Sequence, residues 1–223
     1  MQETEVFALI KNSLLAIIQK KDKPVRVAIN GIEGTGKTVF AGRLTDYLNT
    51  EKMKAIHVSI DGFHFKKAIR YQQGRNSAKG YYEDSYDEMS FVTKVLIASQ
   101  SDHPHITKAI HDLDSDQALH LAPTPIGNKT VIITDGSYLF KSIYKPYWDL
   151  KIYLQTSFEI AMARGIKRDE TALGGLSQAK KKFEERYHAA SLLYQNENRP
   201  DQLADLIVDN SNFDNLEIVK NLL

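Results

Sequence analysis

The octapeptide Gly31-Ile32-Glu33-Gly34-Thr35-Gly36-Lys37-Thr38 follows an apolar run, Val25 to Ile29, and precedes a helical pattern that opens at Val39. The spacing is G-x-x-x-x-G-K-[ST] between a strand and a helix, and few other short patterns constrain a fold as tightly. Glycines let consecutive backbone N–H groups turn inward around phosphate oxygens, and the helix that follows adds the positive end of its dipole. Lys37 is then placed to reach β- and γ-phosphates, and the Thr38 hydroxyl to hold Mg²⁺. Gly31 through Val39 are the candidate nucleotide contacts.

The rest of the chain repeats the alternation begun there. Val25–Ile29, Ala55–Ile60, Thr130–Thr134, Lys151–Leu154 and Asp205–Val208 read as strands buried on both faces. Val39–Asn49, Glu88–Ser99, Phe158–Arg168, Gln178–Tyr194 and Leu216–Leu222 read as helices. Strands separated by helices imply right-handed crossovers and a mainly parallel sheet. The expected fold is therefore α/β, three layers with a mainly parallel five-stranded sheet and helices on both faces. Val6, Phe7, Leu9, Ile10, Leu14, Ile17 and Ile18 recur at helical spacing and mark an amphipathic helix over 4–20 that lies on the core 24–223. One domain, 1–223, is expected.

Composition removes several other classes of function. With 29 Lys+Arg against 28 Asp+Glu, the chain has no global field to steer a polyanion, so neither nucleic acid nor a membrane surface is an expected partner. The absence of cysteine removes disulfides, thiolate metal sites and thiol nucleophiles together, and it fits a reducing cytoplasm. Glu3 and Glu5 stand where a secretory signal carries positive charge. No apolar run approaches the ~20 residues that span a bilayer.

Two strand ends supply acids beside the phosphate loop. Ala55–Ile60 runs into Asp61-Gly62, and Thr130–Thr134 into Asp135-Gly136. Phosphoryl transfer asks for one carboxylate near the metal and another to accept the proton of an attacking hydroxyl. Arg164 and Arg168 lie four apart on one helix face, followed by a polar stretch that holds Gly174 and Gly175. That composition suits a mobile lid over about 164–178, carrying arginines onto the transferred phosphate. A solvated basic helix face is the plainer explanation of the same residues.

Taken together, GIEGTGKT, the segment SIDGFH at 59–64, KGYYEDSYD at 79–87, ITDGSYLF at 133–140 and ARGIKRD at 163–169 resemble the uridine kinase, phosphoribulokinase and bacterial pantothenate kinase group. The likeness runs in order from Val25 to about Phe213. It implies a P-loop NTPase core, ATP with Mg²⁺, and phosphorylation of a primary alcohol on a small molecule such as uridine or cytidine. It also implies Asp61 as catalytic base, Asp135 near the metal with Thr38, and phosphate contacts from Lys37, Arg164 and Arg168. A homo-oligomer is compatible with it.

The acceptor stays open. DGFH replaces the Asp-Ser-Phe-Tyr usual in uridine kinases, and YYEDSYD resembles the pantothenate kinase version equally well. Candidate acceptor contacts are His64, Arg75, Tyr81, Tyr82, Asp84 and His111, drawn from the irregular stretches 61–87 and 103–128. Pantothenate, another alcohol or a sugar are alternative acceptors, and an ATP-binding regulator without transfer activity is a further alternative. A GTPase is disfavoured, because the only Asn-Lys pair, Asn128-Lys129, precedes a strand. The His spacing matches no hydrolytic zinc motif.

Overall fold

In the computed structural model, which describes residues 1–223, six strands form one sheet. They are β1 (Val25–Asn30), β2 (Ala55–Ser59), β3 (Val131–Gly136), β4 (Leu150–Gln155), β5 (Leu206–Asp209) and β6 (Glu217–Asn221). Their spatial order is β6-β5-β4-β1-β3-β2. All pairings are parallel except β6 with β5. The β1 and β3 strands are buried along their whole length, as the valine- and isoleucine-rich runs VRVAI and VIIT suit in central strands covered on both faces.

Each face carries its own core. On one, Val6, Phe7, Ile10 and Leu14 of the helix Glu3–Lys20 pack with Phe40, Leu44 and Leu48 of the helix Lys37–Thr50. On the other, Phe63, Phe91, Tyr138, Tyr144 and Tyr194 form an aromatic core under β3 and β1. Two turns of the second face wind as π-helix, at Val92–Ile97 and at Phe183–His188.

The five parallel strands lie within a residue or two of their expected positions. The sixth corrects the reading of Leu216–Leu222 as a helix, since Glu217–Asn221 pairs antiparallel with β5. Five residues are too few for a stable isolated helix. β-branched Ile218 and Val219, together with the open edge of β5, offer the backbone ladder bonds instead. The stretch 61–87 is also more ordered than its composition suggests, with a 3₁₀ turn at Ile60–Phe63 and helices at Lys67–Arg70 and Ala78–Asp84. No helix is long and apolar enough to cross a membrane.

Register places the chemistry. Ile29 of β1 and Ser59 of β2 both pair with Asp135 of β3. The phosphate loop, Asp61 and Asp135 therefore emerge along one carboxyl edge of the sheet, where ligands of parallel α/β folds bind.

Candidate active site

The loop after β1 needs bare backbone at particular points. Gly34 and Gly36 have φ of +89° and +95°, a region costly for residues with a Cβ. A Cβ on Gly34 would stand 2.1 Å from the carbonyl oxygen of Ala161, and one on Gly31 2.7 Å from that of Leu154. Asn210 secures the loop from β5 by donating its Nδ2 to Thr35 O at 2.8 Å. Lys37 is buried and donates Nζ to Ile32 O at 2.9 Å, curling over its own loop. The cradle is thus glycine-lined backbone capped by a lysine, which suits a phosphate chain.

Glu33, Gly34, Gly36, Lys37 and Thr38 line a cleft of about 340 Å³, together with Asp61, His64, Arg70, Tyr71, Tyr81, Asp135, Ser137, Arg168, Arg186 and Tyr187. Ile32 and Thr35 are buried beneath the loop rather than on the cleft, and Gly31 packs against Leu154. Val39 is exposed on the helix beyond the loop and does not line this cleft.

Asp135 is 1% exposed. Thr38 donates Oγ1 to its Oδ2 at 2.6 Å, and His57 Nε2 lies 2.7 Å from its Oδ1. Burial pushes its pKa up, but these hydrogen bonds and the charge of Lys37 outweigh burial and hold it below the ordinary value. It is an ionised carboxylate beside a threonine hydroxyl, a hard oxygen pair of the kind Mg²⁺ accepts.

Asp61 sits on the 3₁₀ turn after β2, and its side chain is 54% open to the cleft. Tyr86 donates its phenol to Asp61 Oδ1 at 3.1 Å, and His64 Nδ1 bonds the Asp61 carbonyl at 2.8 Å. Loss of solvent under the surrounding protein raises the Asp61 pKa; the charges of Glu33 and Asp135 add to that rise, and Lys37 opposes it. Burial lowers the His64 pKa, so its ring is neutral with Nδ1–H donating and Nε2 left as an acceptor.

Glu33 lies in the cradle itself, where Ser137 Oγ donates at 3.3 Å and Arg168 at 3.4 Å. Burial pushes its pKa up, but Lys37 and Arg168 prevail and keep it ionised. Arg168 also grips Asp169 with two bonds of 2.7 Å.

Arg164 lies outside the cleft. Its guanidinium donates to Asn210 O at 2.7 Å and Ser211 O at 2.8 Å, and it stacks 3.8 Å from the Phe213 ring centroid. It borders a separate hollow beside Gly34 and Phe213 rather than the cleft. The four-residue spacing puts both arginines on one side of the helix, but the carbonyls after β5 capture Arg164 before it reaches the cleft.

Of the expected acceptor contacts, His64 and Tyr81 line the cleft, and four do not. Arg75 lies on the protein exterior with its guanidinium near the Tyr71 ring. Tyr82 donates to Glu197 at 2.8 Å and belongs to the aromatic core. Asp84 accepts from Gln73 at 2.8 Å on the surface. His111 is buried with Nε2 3.3 Å from Asp116, which pairs in turn with Arg70. The cleft is lined instead by Arg70, Tyr71, Arg186 and Tyr187, which carry no short motif, and by Ser137 of the ITDGSYLF stretch. Arg186 did leave a trace in the sequence, because it interrupts the buried stripe Ala179, Phe183, Ala190 and Tyr194.

A sequence model of the Phosphoribulokinase / Uridine kinase family matches residues 26–209. This chain belongs to that family. Membership makes it a phosphotransferase with a hydroxyl acceptor. It is 27% identical over 148 residues to a uridine kinase of Leuconostoc citreum, covering 66% of this chain and 69% of that one. Among solved structures, the "Possible Uridine Kinase from Bacillus stearothermophilus" superposes with a TM-score of 0.65 at 17% identity, over 89% of this chain and 98% of that one. The D-glycerate 3-kinase from Cryptococcus neoformans superposes at 0.59 and 12%, over 96% and 99%. Those two likenesses speak to the fold.

Proposed function

We propose that this kinase transfers the γ-phosphate of ATP, with Mg²⁺, to a primary hydroxyl of a small molecule. A nucleoside such as uridine or cytidine is the first acceptor to test, on the strength of the Leuconostoc citreum relative. The observation that carries the reading is that Asp61 shares one cleft with Lys37, Thr38 and Asp135. ATP and Mg²⁺ would supply the phosphoryl group and neutralise part of its charge. Thr38 and Asp135 would hold the metal, with Asp135 aimed by His57 and by Thr38 itself. Lys37 would leave the carbonyl of Ile32 for phosphate oxygens.

Asp61 is the general base. It accepts the proton of the acceptor hydroxyl as the new O–P bond forms and the bond from the γ-phosphorus to the bridging oxygen breaks, ADP being the leaving group, and it returns that proton to solvent when the product leaves. Its raised pKa makes the carboxylate a stronger proton acceptor than an ordinary aspartate. Tyr86 fixes its direction. Arg168 covers the transferred group from a lid over about 164–178, hinged at Gly174 and Gly175, whose φ values are +89° and +100°.

The test is ATP consumption against uridine, cytidine, pantothenate and simple sugars, with Asp61→Asn as control. Transfer to one alcohol, lost in Asp61→Asn while ATP still binds, supports the reading. ATP binding without transfer to any alcohol would favour a regulator. A second acceptor class, acids and sugar phosphates, is favoured by the cationic wall considered next.

A further inference from the structure

Arg186 is 2% exposed, lines the cleft, and has no acid beside it. Its guanidinium donates only to main-chain carbonyls, at 3.1 Å to Arg75, 3.2 Å to Ser77, 3.2 Å to Arg70 and 3.4 Å to Gly74. Those carbonyls satisfy protons but cancel no charge. The rings of Tyr71 and Tyr81, with centroids 4.8 Å and 4.9 Å away, offset part of the lost hydration. A buried cation without a counter-ion is costly, and proteins keep one chiefly where something else supplies the negative charge.

The neighbourhood compounds that cost. Four cations surround the single ring of Tyr71: Arg186, Arg75 at 5.5 Å, Arg70 at 5.6 Å and Lys182 at 5.9 Å from its centroid. Only Arg70 has an acid partner here, Asp116 at 3.2 Å. The positive charge is distinct from that of the phosphate loop. Lys37 and Arg168 bear on Glu33, whereas the charges bearing on Tyr71 are Lys182, Arg186, Arg70 and Arg75. The Tyr71 group is also built from different segments, the chain that follows Asp61 and the helix after the Gly174-Gly175 turn.

We propose that the acceptor alcohol carries an anionic group of its own, a carboxylate or a phosphate ester, which docks on Arg186 and Tyr71 while its hydroxyl faces Asp61. The inference rests on the kinase reading above and narrows its acceptor. Arg186 is then the specificity residue. It sets charge preference and, through the carbonyls of Arg70, Gly74, Arg75 and Ser77, holds the wall on which the acceptor lies.

The test compares matched acceptors that differ in charge, using the full-length enzyme with saturating ATP·Mg²⁺: pantothenate with pantothenol, D-glycerate with glycerol, and fructose 6-phosphate with fructose, with uridine as the neutral reference. We expect the charged member of at least one pair to show a KM at least tenfold below its neutral partner. A carboxylate or a phosphate pair giving that difference identifies the anion. Arg186→Gln should abolish the difference with the ATP KM held within twofold, and Arg186→Lys should restore part of it. The wild-type comparison needs no substitution, so it stands even if Arg186→Gln folds poorly. A neutral preference in every pair, or a charged-over-neutral difference that survives unchanged in Arg186→Gln, overturns the anion site while leaving the kinase. Transfer to no alcohol at all overturns both.

Discussion

His57 Nε2 lies 2.7 Å from Asp135 Oδ1, on the side of the carboxylate opposite the Thr38 hydroxyl. A carboxylate accepts only, so the imidazole donates and fixes which oxygen remains for a metal. Partners of this kind commonly change metal affinity by roughly 10- to 100-fold. His57→Ala should therefore raise the Mg²⁺ concentration for half-maximal rate by about tenfold. His57→Gln, which keeps a donor, should raise it less. Mg²⁺ titrations of the initial rate decide the matter, and identical curves for wild type and His57→Ala would remove His57 from the site.

The Tyr86 bond to Asp61 makes a directional prediction about pH. Asp61 begins with a pKa raised by lost solvation, and the Tyr86 phenol stabilises its charged form. A base with a raised pKa is protonated over a wider acid range, so kcat/KM should fall with decreasing pH earlier than for an ordinary carboxylate. Tyr86→Phe removes the stabilising donor and should move that acid limb to still higher pH. Asp61→Asn should cost about 10²–10⁴ in kcat with ATP affinity retained. An acid limb unchanged in Tyr86→Phe would mean that the phenol does not touch the titrating group.

Glu33 brings negative charge into a cradle suited to phosphates. Its carboxylate stays ionised because Lys37 and Arg168 attract it, so nucleotide phosphates must compete for the same two cations. Glu33→Gln removes the competitor. We expect ATP to bind roughly three- to fivefold more tightly, from about 1 kcal/mol of relieved repulsion. Lys37→Ala should weaken ATP binding and transfer together. Calorimetric titration of both variants, at fixed ionic strength, reads the two signs.

What the sequence revealed depended on how local each feature was. Gly31 to Thr38 form one contiguous turn, so spacing alone carried the loop. Asp61 and Asp135 follow β-branched runs directly, and the parallel register brought them together as such runs imply. His57 was invisible, because its role needs Ser59 to pair with Asp135 so that the residue two earlier shares the right face. The place of Arg164 outside the cleft was hidden for the converse reason, its partners being carbonyls more than 40 residues away after β5. Periodicity likewise could not foresee that β5 would recruit Glu217–Asn221 as a strand.

The lid reading can be tested through packing as well as chemistry. Gly165 lies in the helix Phe158–Asp169 where Phe183, fully buried, crosses it, and a Cβ there would stand 2.0 Å from the Phe183 ring. No rotamer of an alanine avoids that contact, so either the ring or the helix must move. Overpacking of this kind costs about 1–3 kcal/mol. For a chain of this length that corresponds to a fall in Tm of roughly 2–4 °C per kcal/mol. Gly165→Ala should thus lower Tm by several degrees. Pairing it with Phe183→Leu should recover part of the loss, since the smaller side chain gives back the space. If the double variant melts below both single variants, the two helices do not meet through this contact. Because Arg168 and Asp169 follow Gly165 by less than two turns, the single variant should also raise the acceptor KM, with kcat/KM as its measure.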